Sequence, residues 1–182
     1  MENESTGKRI EELYQLIDGI EVAMFTTRRP DGMLVSRPMQ VQGHDPAIGA
    51  DLWFVTDIET HKLDELQSDP HVNVSFYRDR TREWVSVSGR AHVIRDRAKI
   101  RELYKLDWRA WFESEGGERD GGPDDPRITL IAVEADTVIY MTNNTPAPVV
   151  LFEVARGIIT GSRPDVGEMR SLTGEELHRG AA

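Results

Sequence analysis

At 182 residues, 38% hydrophobic and 30% charged, the chain can bury one ordinary core and is too apolar for a disordered tail. Its formal net charge of −10 argues against duplex nucleic acid or an anionic membrane surface as the main partner, because both are polyanions. The lack of cysteine excludes disulfides, thiolate zinc sites and cysteine nucleophiles, while the polar start MENESTGKR and the absence of any apolar run near about 18 residues predict neither signal peptide nor membrane span, hence a cytoplasmic protein.

In chain order, Ile10, Leu13, Tyr14, Ile17 and Ile20 recur at three- and four-residue steps and predict an amphipathic helix over 8–20. A strand over 22–28 meets the turn sequence Arg29-Pro30-Asp31-Gly32, which predicts a hairpin with a second strand over 33–42. In that second strand Val35, Arg37, Met39 and Val41 share the apolar face, so Arg37 needs a counter-ion that no neighbour in sequence supplies. A loop follows around His44-Asp45-Pro46, then a strand over 52–56 and a short helix over 60–67 that Asp69-Pro70 terminates. Strands are expected over 71–77 and 84–94, and a helix over 97–106 capped by Asp96 and striped by Ile100, Leu103 and Tyr104. The Gly, Asp and Pro cluster over 115–126 reads as a loop, 128–141 as a strand, and 149–159 as a helix carrying Val150, Leu151, Val154 and Ile158; beyond Gly161 the chain is a polar tail.

Hairpin-linked strands with irregularly inserted helices imply a mainly antiparallel sheet or small β-barrel with helices, an α+β arrangement, and not a doubly wound parallel sheet. No G-x-G-x-x-G or Walker sequence is present. The five histidines show no H-x-x-x-H or H-E-x-x-H spacing and predict no metal site. There is no G-x-S-x-G, so no nucleophile is assigned and the catalytic residues stay unknown. Asp120, Asp124 and Asp125 lack the D-x-D-x-D-G order of a calcium loop and read as a solvated acidic segment.

The stretch DLWFVTDIETHKLDEL is different, because an apolar strand runs within a few residues into Thr60-His61-Lys62 at a helix start. A hydroxyl, an ammonium, unpaired first-turn amides and the helix dipole together suit a phosphate monoester, and Arg37 could complete a fork to it. Taken alone, the same residues equally describe a capping Thr60 and a solvated Lys62 beside Glu59 or Asp64.

The order of S-R-P-M-Q-V (Ser36 to Val41), W-F-V-T (Trp53 to Thr56) and D-I-E-T-H-K-L (Asp57 to Leu63) resembles the FMN-binding split barrel of the pyridoxamine 5′-phosphate oxidase-like superfamily, over Lys8 to Met141. The run from Trp111 to Val133, WFESEGGERDGGPDDPRITLIAV, and the later IITGSRPD resemble the general stress protein branch. The resemblance implies a split-barrel domain over 1–144, with 145–182 as a C-terminal helix and polar tail packed on it. It further implies that Arg37, Lys62 and Thr60 hold an FMN phosphate with His61 beside them, that Pro38, Met39 and Gln40 run under the flavin, and that Val55 and Thr56 line the other side. His61 stands where the oxidases proper often carry arginine, so phosphate affinity is expected to fall as pH rises through the imidazole's titration. Trp111 is expected to stack on or wall off the flavin, the alternative being that Trp108, Trp111 and Phe112 pack at a subunit boundary. A homodimer is implied, with Ser86, Ser88 and Gly89 as the partner's share of each site. The resulting expectation is an FMN-dependent oxidoreductase, stress-related, linking NAD(P)H to a small acceptor. The arginine-rich C-terminal substrate segment of a true pyridoxamine phosphate oxidase is missing. The alternatives are a non-enzymatic flavin carrier or sensor, or a split barrel that uses a deazaflavin or haem.

Overall fold

The hairpin at Pro30–Gly32 forms as its turn residues require. In the computed structural model, which describes residues 2–45, 50–143, 147–161 and 167–179, β1 (Val22–Arg28) and β2 (Leu34–Gln40) pair antiparallel from Val22 opposite Gln40 to Arg28 opposite Leu34. Gly32 closes the turn at φ +86°, a conformation open to glycine because it has no Cβ, and its N–H donates to Arg29 C=O at 2.8 Å.

The hairpin belongs to one antiparallel sheet, completed by β3 (Gly43–Asp45), β4 (Ala50–Asp57), β5 (His71–Arg78), β6 (Glu83–Ile94), β7 (Ile128–Thr142) and β8 (Glu168–Thr173). The strand order is β2-β1-β5-β6-β7-β4-β3, with β8 also on β7. The two ends of that order, β2 and β3, are consecutive in the chain, so the sheet curls until its free edges approach each other: a half-barrel that is open along one seam. Around it lie α1 (Glu2–Asp18), α2 (His61–Ser68), α3 (Arg97–Leu103), a 3₁₀ turn (Leu106–Trp111), α4 (Ala147–Thr160) and α5 (Gly174–Arg179). No described helix is long and apolar enough to cross a membrane.

Two cores lie on opposite faces of β4 and β7, which explains why these strands read as continuous apolar runs and not as alternations. Leu52, Phe54, Ile131 and Val133 face a core closed by Leu13 and Ile17 of α1 and by Leu63 and Leu66 of α2. Trp53, Leu130 and Ala132 face a second core with Ile100, Trp108 and Phe112. Complete burial of a side chain such as Ile17 or Phe54 is worth about 1.5–3 kcal/mol. Asp96 caps α3 as expected, its carboxylate accepting from the Ala98 and Lys99 amides.

Several expectations need correction. The stretch read as a loop at His44-Asp45 is β3, paired to β4, while Pro46 lies outside the described residues. The helix expected to reach 106 stops at Leu103 and restarts as the 3₁₀ turn. The tail read as merely polar supplies β8, laid along β7 from Thr173 opposite Thr137 to Glu168 opposite Thr142, and α5, whose Leu177 is buried with Leu172 of β8. Its apolar residues are too sparse for a periodic signal, and its pairing partner lies about thirty residues upstream. In α4, Phe152, Ile158 and Ile159 stand in solvent; the side chains of Val150, Leu151 and Val154, and residues 162–165 of the tail motif, lie outside the described residues.

Candidate functional site

The seam of the half-barrel holds a cavity of about 450 Å³, lined by Val22, Pro38, Met39, Gln40, Gln42, Val55, Thr56, Asp57, Thr60, Lys62, Trp111 and Phe112. The local chemistry that builds its polar end starts at Asp57, where β4 leaves the sheet. Asp57 Oδ1 accepts the Glu59 amide at 2.7 Å, a side-chain turn that reverses the chain into α2. The Thr60 hydroxyl then donates back to Asp57 C=O at 2.9 Å and makes no side-chain cap on the helix it precedes. The first amides of α2 are thus left without a side-chain acceptor, contrary to the simple capping alternative.

Lys62 enters the cavity from the first turn of α2. Its Nζ donates to Thr56 Oγ1 at 2.5 Å, and this neutral hydroxyl is the only hydrogen-bond partner of the ammonium among the described residues. Burial, then the nearby Arg37 charge, pull its pKa below the ordinary lysine value, against the opposing pull of Asp57 and Glu65. A half-buried ammonium whose charge is answered mainly by a hydroxyl is electrostatically unfinished, and an anion in the cavity would complete it.

Arg37 is placed differently from the expectation. Its side chain points into the barrel, where Nη2 donates to both Glu65 oxygens at 2.8 and 2.7 Å and Nη1 donates to Thr27 Oγ1 at 2.7 Å. The counter-ion required by an inward arginine is therefore a carboxylate 28 residues away on α2. Burial pushes the Glu65 carboxyl up, but hydrogen bonds from Thr27 and Arg37 outweigh it and hold the carboxyl below its ordinary range. Arg37 stands behind the cavity wall and does not line it. His61 does not line it either: its side chain is 98% exposed, with Asp64 at 3.9 Å as its nearest acid. An imidazole so fully hydrated has no contact through which to set the affinity of the cavity, which removes the structural basis for the expected pH effect.

The other expected residues, Pro38, Met39, Gln40, Val55, Thr56, Thr60, Lys62 and Trp111, all face the cavity. Of the three aromatic residues considered together, Trp108 is core, packed edge-on to Trp53 and Tyr104. Phe112 is buried and forms cavity wall, whereas Trp111 is 77% exposed at the cavity lip. Ser86 and Ser88 lie on β6, away from the cavity, hydrogen-bonded to Asn73 Nδ2 at 2.9 and 3.2 Å.

The loop behind Trp111 and Phe112 is not the solvated acidic segment that its composition suggests. Asp125 is fully buried and accepts from Arg127 Nε and Nη2 at 3.1 and 2.7 Å, from the Arg127 amide at 2.9 Å and from the Gly121 amide at 2.8 Å. Burial alone would raise its pKa; these donors reverse the effect and lower it to about 2. Arg127 extends the network to Glu115 at 2.9 Å and lies over the Phe112 ring. Arg119 joins Glu115 to Glu59, the residue before Thr60, so the loop is tied to the start of α2. Sequence reasoning missed Val22, Gln42, Asp57 and Phe112 as lining, and Glu65 and Asp125 as buried acids. The one available signal was the unpaired inward Arg37, which called for an acid on a facing element.

Comparison with known proteins agrees with this architecture. The model of the family described as "Pyridoxamine 5′-phosphate oxidase like" matches residues 8–165. Protein bli-3 of Neurospora crassa is 36% identical over 172 residues, covering 93% of this chain and 82% of that protein. The structure of a Clostridium acetobutylicum protein related to general stress protein 26 of Bacillus subtilis superposes with a TM-score of 0.67 at 16% identity, covering 94% of this chain and 98% of that one. A pyridoxamine 5′-phosphate oxidase-related, FMN binding protein from Nostoc punctiforme superposes with a TM-score of 0.57 at 15% identity, covering 91% and 93%. At these identities the two structures bear on the fold alone.

Proposed function

The chain belongs to the pyridoxamine 5′-phosphate oxidase-like family, and from that premise we propose that the seam cavity binds FMN and serves electron transfer between a nicotinamide donor and a small acceptor. The observation that carries this reading is Lys62, a half-buried ammonium in the cavity to which, among the described residues, only the Thr56 hydroxyl is bonded. The residues present fit the cofactor. A volume of about 450 Å³ falls within the usual range for ligand pockets. The cavity has one cationic pole at Lys62 and otherwise largely apolar walls, the pattern that a phosphate-tailed aromatic ring requires.

In this reading Lys62, the Thr56 hydroxyl and the first amides of α2 hold the phosphate, while Thr60, whose hydroxyl hydrogen goes to Asp57 C=O, shapes the turn that presents those amides. Arg37 supports the site from behind the wall, its Nη1 and Nη2 committed to Thr27 and Glu65. Pro38, Met39, Gln40 and Val55 flank the ring, and Trp111 covers it from the lip. Bound flavin supplies the hydride and electron chemistry, while the protein supplies position, dielectric and exclusion of water. A homodimer, with Ser86 and Ser88 facing the partner's site, is supported by the exposed apolar side chains Met24, Tyr77 and Ile139 on the outer sheet face; Gly89 is buried against the β7 backbone at Glu134 and does not share that face. Cytoplasmic residence and a stress-related role belong to the same proposal.

A second reading, a flavin carrier or sensor without turnover, is favoured by one observation. Among the described lining residues Asp57 is the only carboxyl and there is no histidine, so a proton-transfer group is scarce. Titration of the purified protein with FMN tests the first element of the proposal: quenching of flavin fluorescence with a shifted absorbance band is expected, and no change at saturating FMN would remove it. Anaerobic mixing of the loaded protein with NADPH then separates the two readings, since bleaching of the flavin band supports the oxidoreductase and a persistent band supports the carrier.

A further inference from the structure

Gln42 lines the cavity and was assigned nothing by the sequence, yet almost every polar atom it has is fixed. Its amide N–H donates to Trp53 C=O at 2.9 Å, and its own C=O accepts from Lys105 Nζ at 2.8 Å. Its side-chain Oε1 accepts from the indole Nε1 of buried Trp108 at 2.8 Å. An indole N–H can only donate, so the side-chain amide has a determined orientation: oxygen toward Trp108, nitrogen away from it. Nε2 makes one long contact, 3.5 Å to Gln40 C=O, and its second hydrogen has no partner among the described residues. Gln40 is itself a lining residue, so the uncommitted donor sits at the cavity wall.

Its distance from the cationic pole shows which part of an occupant it would meet. Gln42 bonds β4 at Trp53, and Thr56, which holds Lys62, lies three residues further along that strand. At about 3.3 Å per residue the separation is roughly 10 Å. A phosphate held at Lys62 is out of reach of Gln42, but a ring beyond the sugar arm is not.

We infer that Gln42 is a specificity-determining residue of this cavity, whose Nε2 donates a hydrogen bond to a carbonyl-type acceptor on the rim of the bound ring. The inference rests on the FMN reading and deepens it: the cavity selects ring systems that carry such an acceptor. Trp108 is the positioning residue that keeps the donor turned toward the ring. Because the donor is a neutral amide, it binds the uncharged ring and also stabilises negative charge on that acceptor when the ring is reduced.

The test compares FMN with riboflavin, which has the same ring and no phosphate, on the full-length protein and on Q42E. The carboxylate of Q42E keeps an acceptor for Trp108 and removes the donor. Both ligands are expected to weaken by a similar factor, about 3–10-fold for loss of one hydrogen bond and more where the new charge faces the ring, with a shift of the bound-flavin absorption band. Weakening of FMN alone would mark simple repulsion of the phosphate and overturn the inference, as would unchanged affinity and spectrum for riboflavin. If Q42E fails to fold, Q42L makes the same comparison without added charge, its melting temperature in the absence of flavin reporting the cost of the unpaired indole separately. A wild-type protein that binds neither ligand sinks the FMN reading itself and this inference with it; a wild type that binds both and a Q42E that binds them equally well sinks only the role of Gln42.

Discussion

The two walls of the seam cavity are held by different physics. The wall of Val55, Thr56 and Lys62 belongs to β4 and α2, where six ladder positions from Leu52 opposite Val133 to Asp57 opposite Ile128 fix the backbone before any side chain acts. The wall of Trp111 and Phe112 has no ladder behind it; it is held by a buried acid, Asp125, and an arginine only 5% exposed, Arg127, which also lies over Phe112. Hydrogen-bonded strands give a position that survives side-chain changes, whereas a wall held by a network centred on one buried ion pair depends on both partners, because removal of Asp125 leaves the buried Arg127 with only Glu115 and the Glu113 carbonyl. The strand wall should therefore lose ligand and keep its shape when altered, and the loop wall should lose its shape.

The strongest way to break this contrast is Asp125→Ala. Arg127 would be left buried without its main partner, and a loss of about 3–5 kcal/mol is expected by thermal or urea unfolding, together with faster proteolysis between Glu113 and Arg127. A loss within 1 kcal/mol, by the same estimate, would show that the loop is held by something else. Lys62→Met comes next: the strand wall should stand, with melting temperature near wild type, while FMN binding weakens by about 10–100-fold for loss of a charge-assisted contact. Equal affinity would remove Lys62 from the site.

Acid titration sharpens the comparison without mutation. Asp125 has its folded pKa depressed to about 2 from 3.8, so its contribution is complete above the unfolded value and is lost as pH falls through the folded one. Between pH 4 and pH 2, about 2 kcal/mol of stability should disappear, by the linkage relation. Asp125→Asn should flatten that part of the profile; an unchanged slope would assign the acid loss to other carboxylates. The smallest effect is expected from Trp111→Ala. A side chain 77% exposed contributes little to folding, so stability should move by less than about 0.5 kcal/mol while bound-flavin fluorescence rises from loss of a neighbouring quencher. A large drop in melting temperature would mean that Trp111 packs against a partner.

Much of the site was legible because it is local. The run Leu52 to Thr56, the turn at Asp57 and the placement of Thr60 and Lys62 are all encoded within a dozen residues, and the hairpin that carries Pro38 to Gln40 is set by Pro30 and Gly32. What local reasoning could not supply was the partner of each buried charge. Arg37 was visible as an inward arginine, but its use as a phosphate ligand was inferred without knowing that Glu65 already occupied it. Asp125 looked solvated because its neighbours in sequence are acidic and glycine-rich, and only the fold brings Arg127 and the Gly121 amide around it.

By itself the sequence determined strands β1, β2 and β4 to β7 and helices α1 to α4, the antiparallel character of the sheet and the presence of a cation at the start of α2, because each follows from periodicity and turn chemistry over short spans; β3, β8 and α5 it did not show. Only the tertiary structure decided which cations are spent and which are free. It placed Glu65 against Arg37, left Lys62 with a hydroxyl, turned His61 to solvent and oriented Gln42 through Trp108. Those outcomes depend on which groups meet across the sheet, and the electrostatic energy of a charge is set by its neighbours in space, whatever its neighbours in the chain.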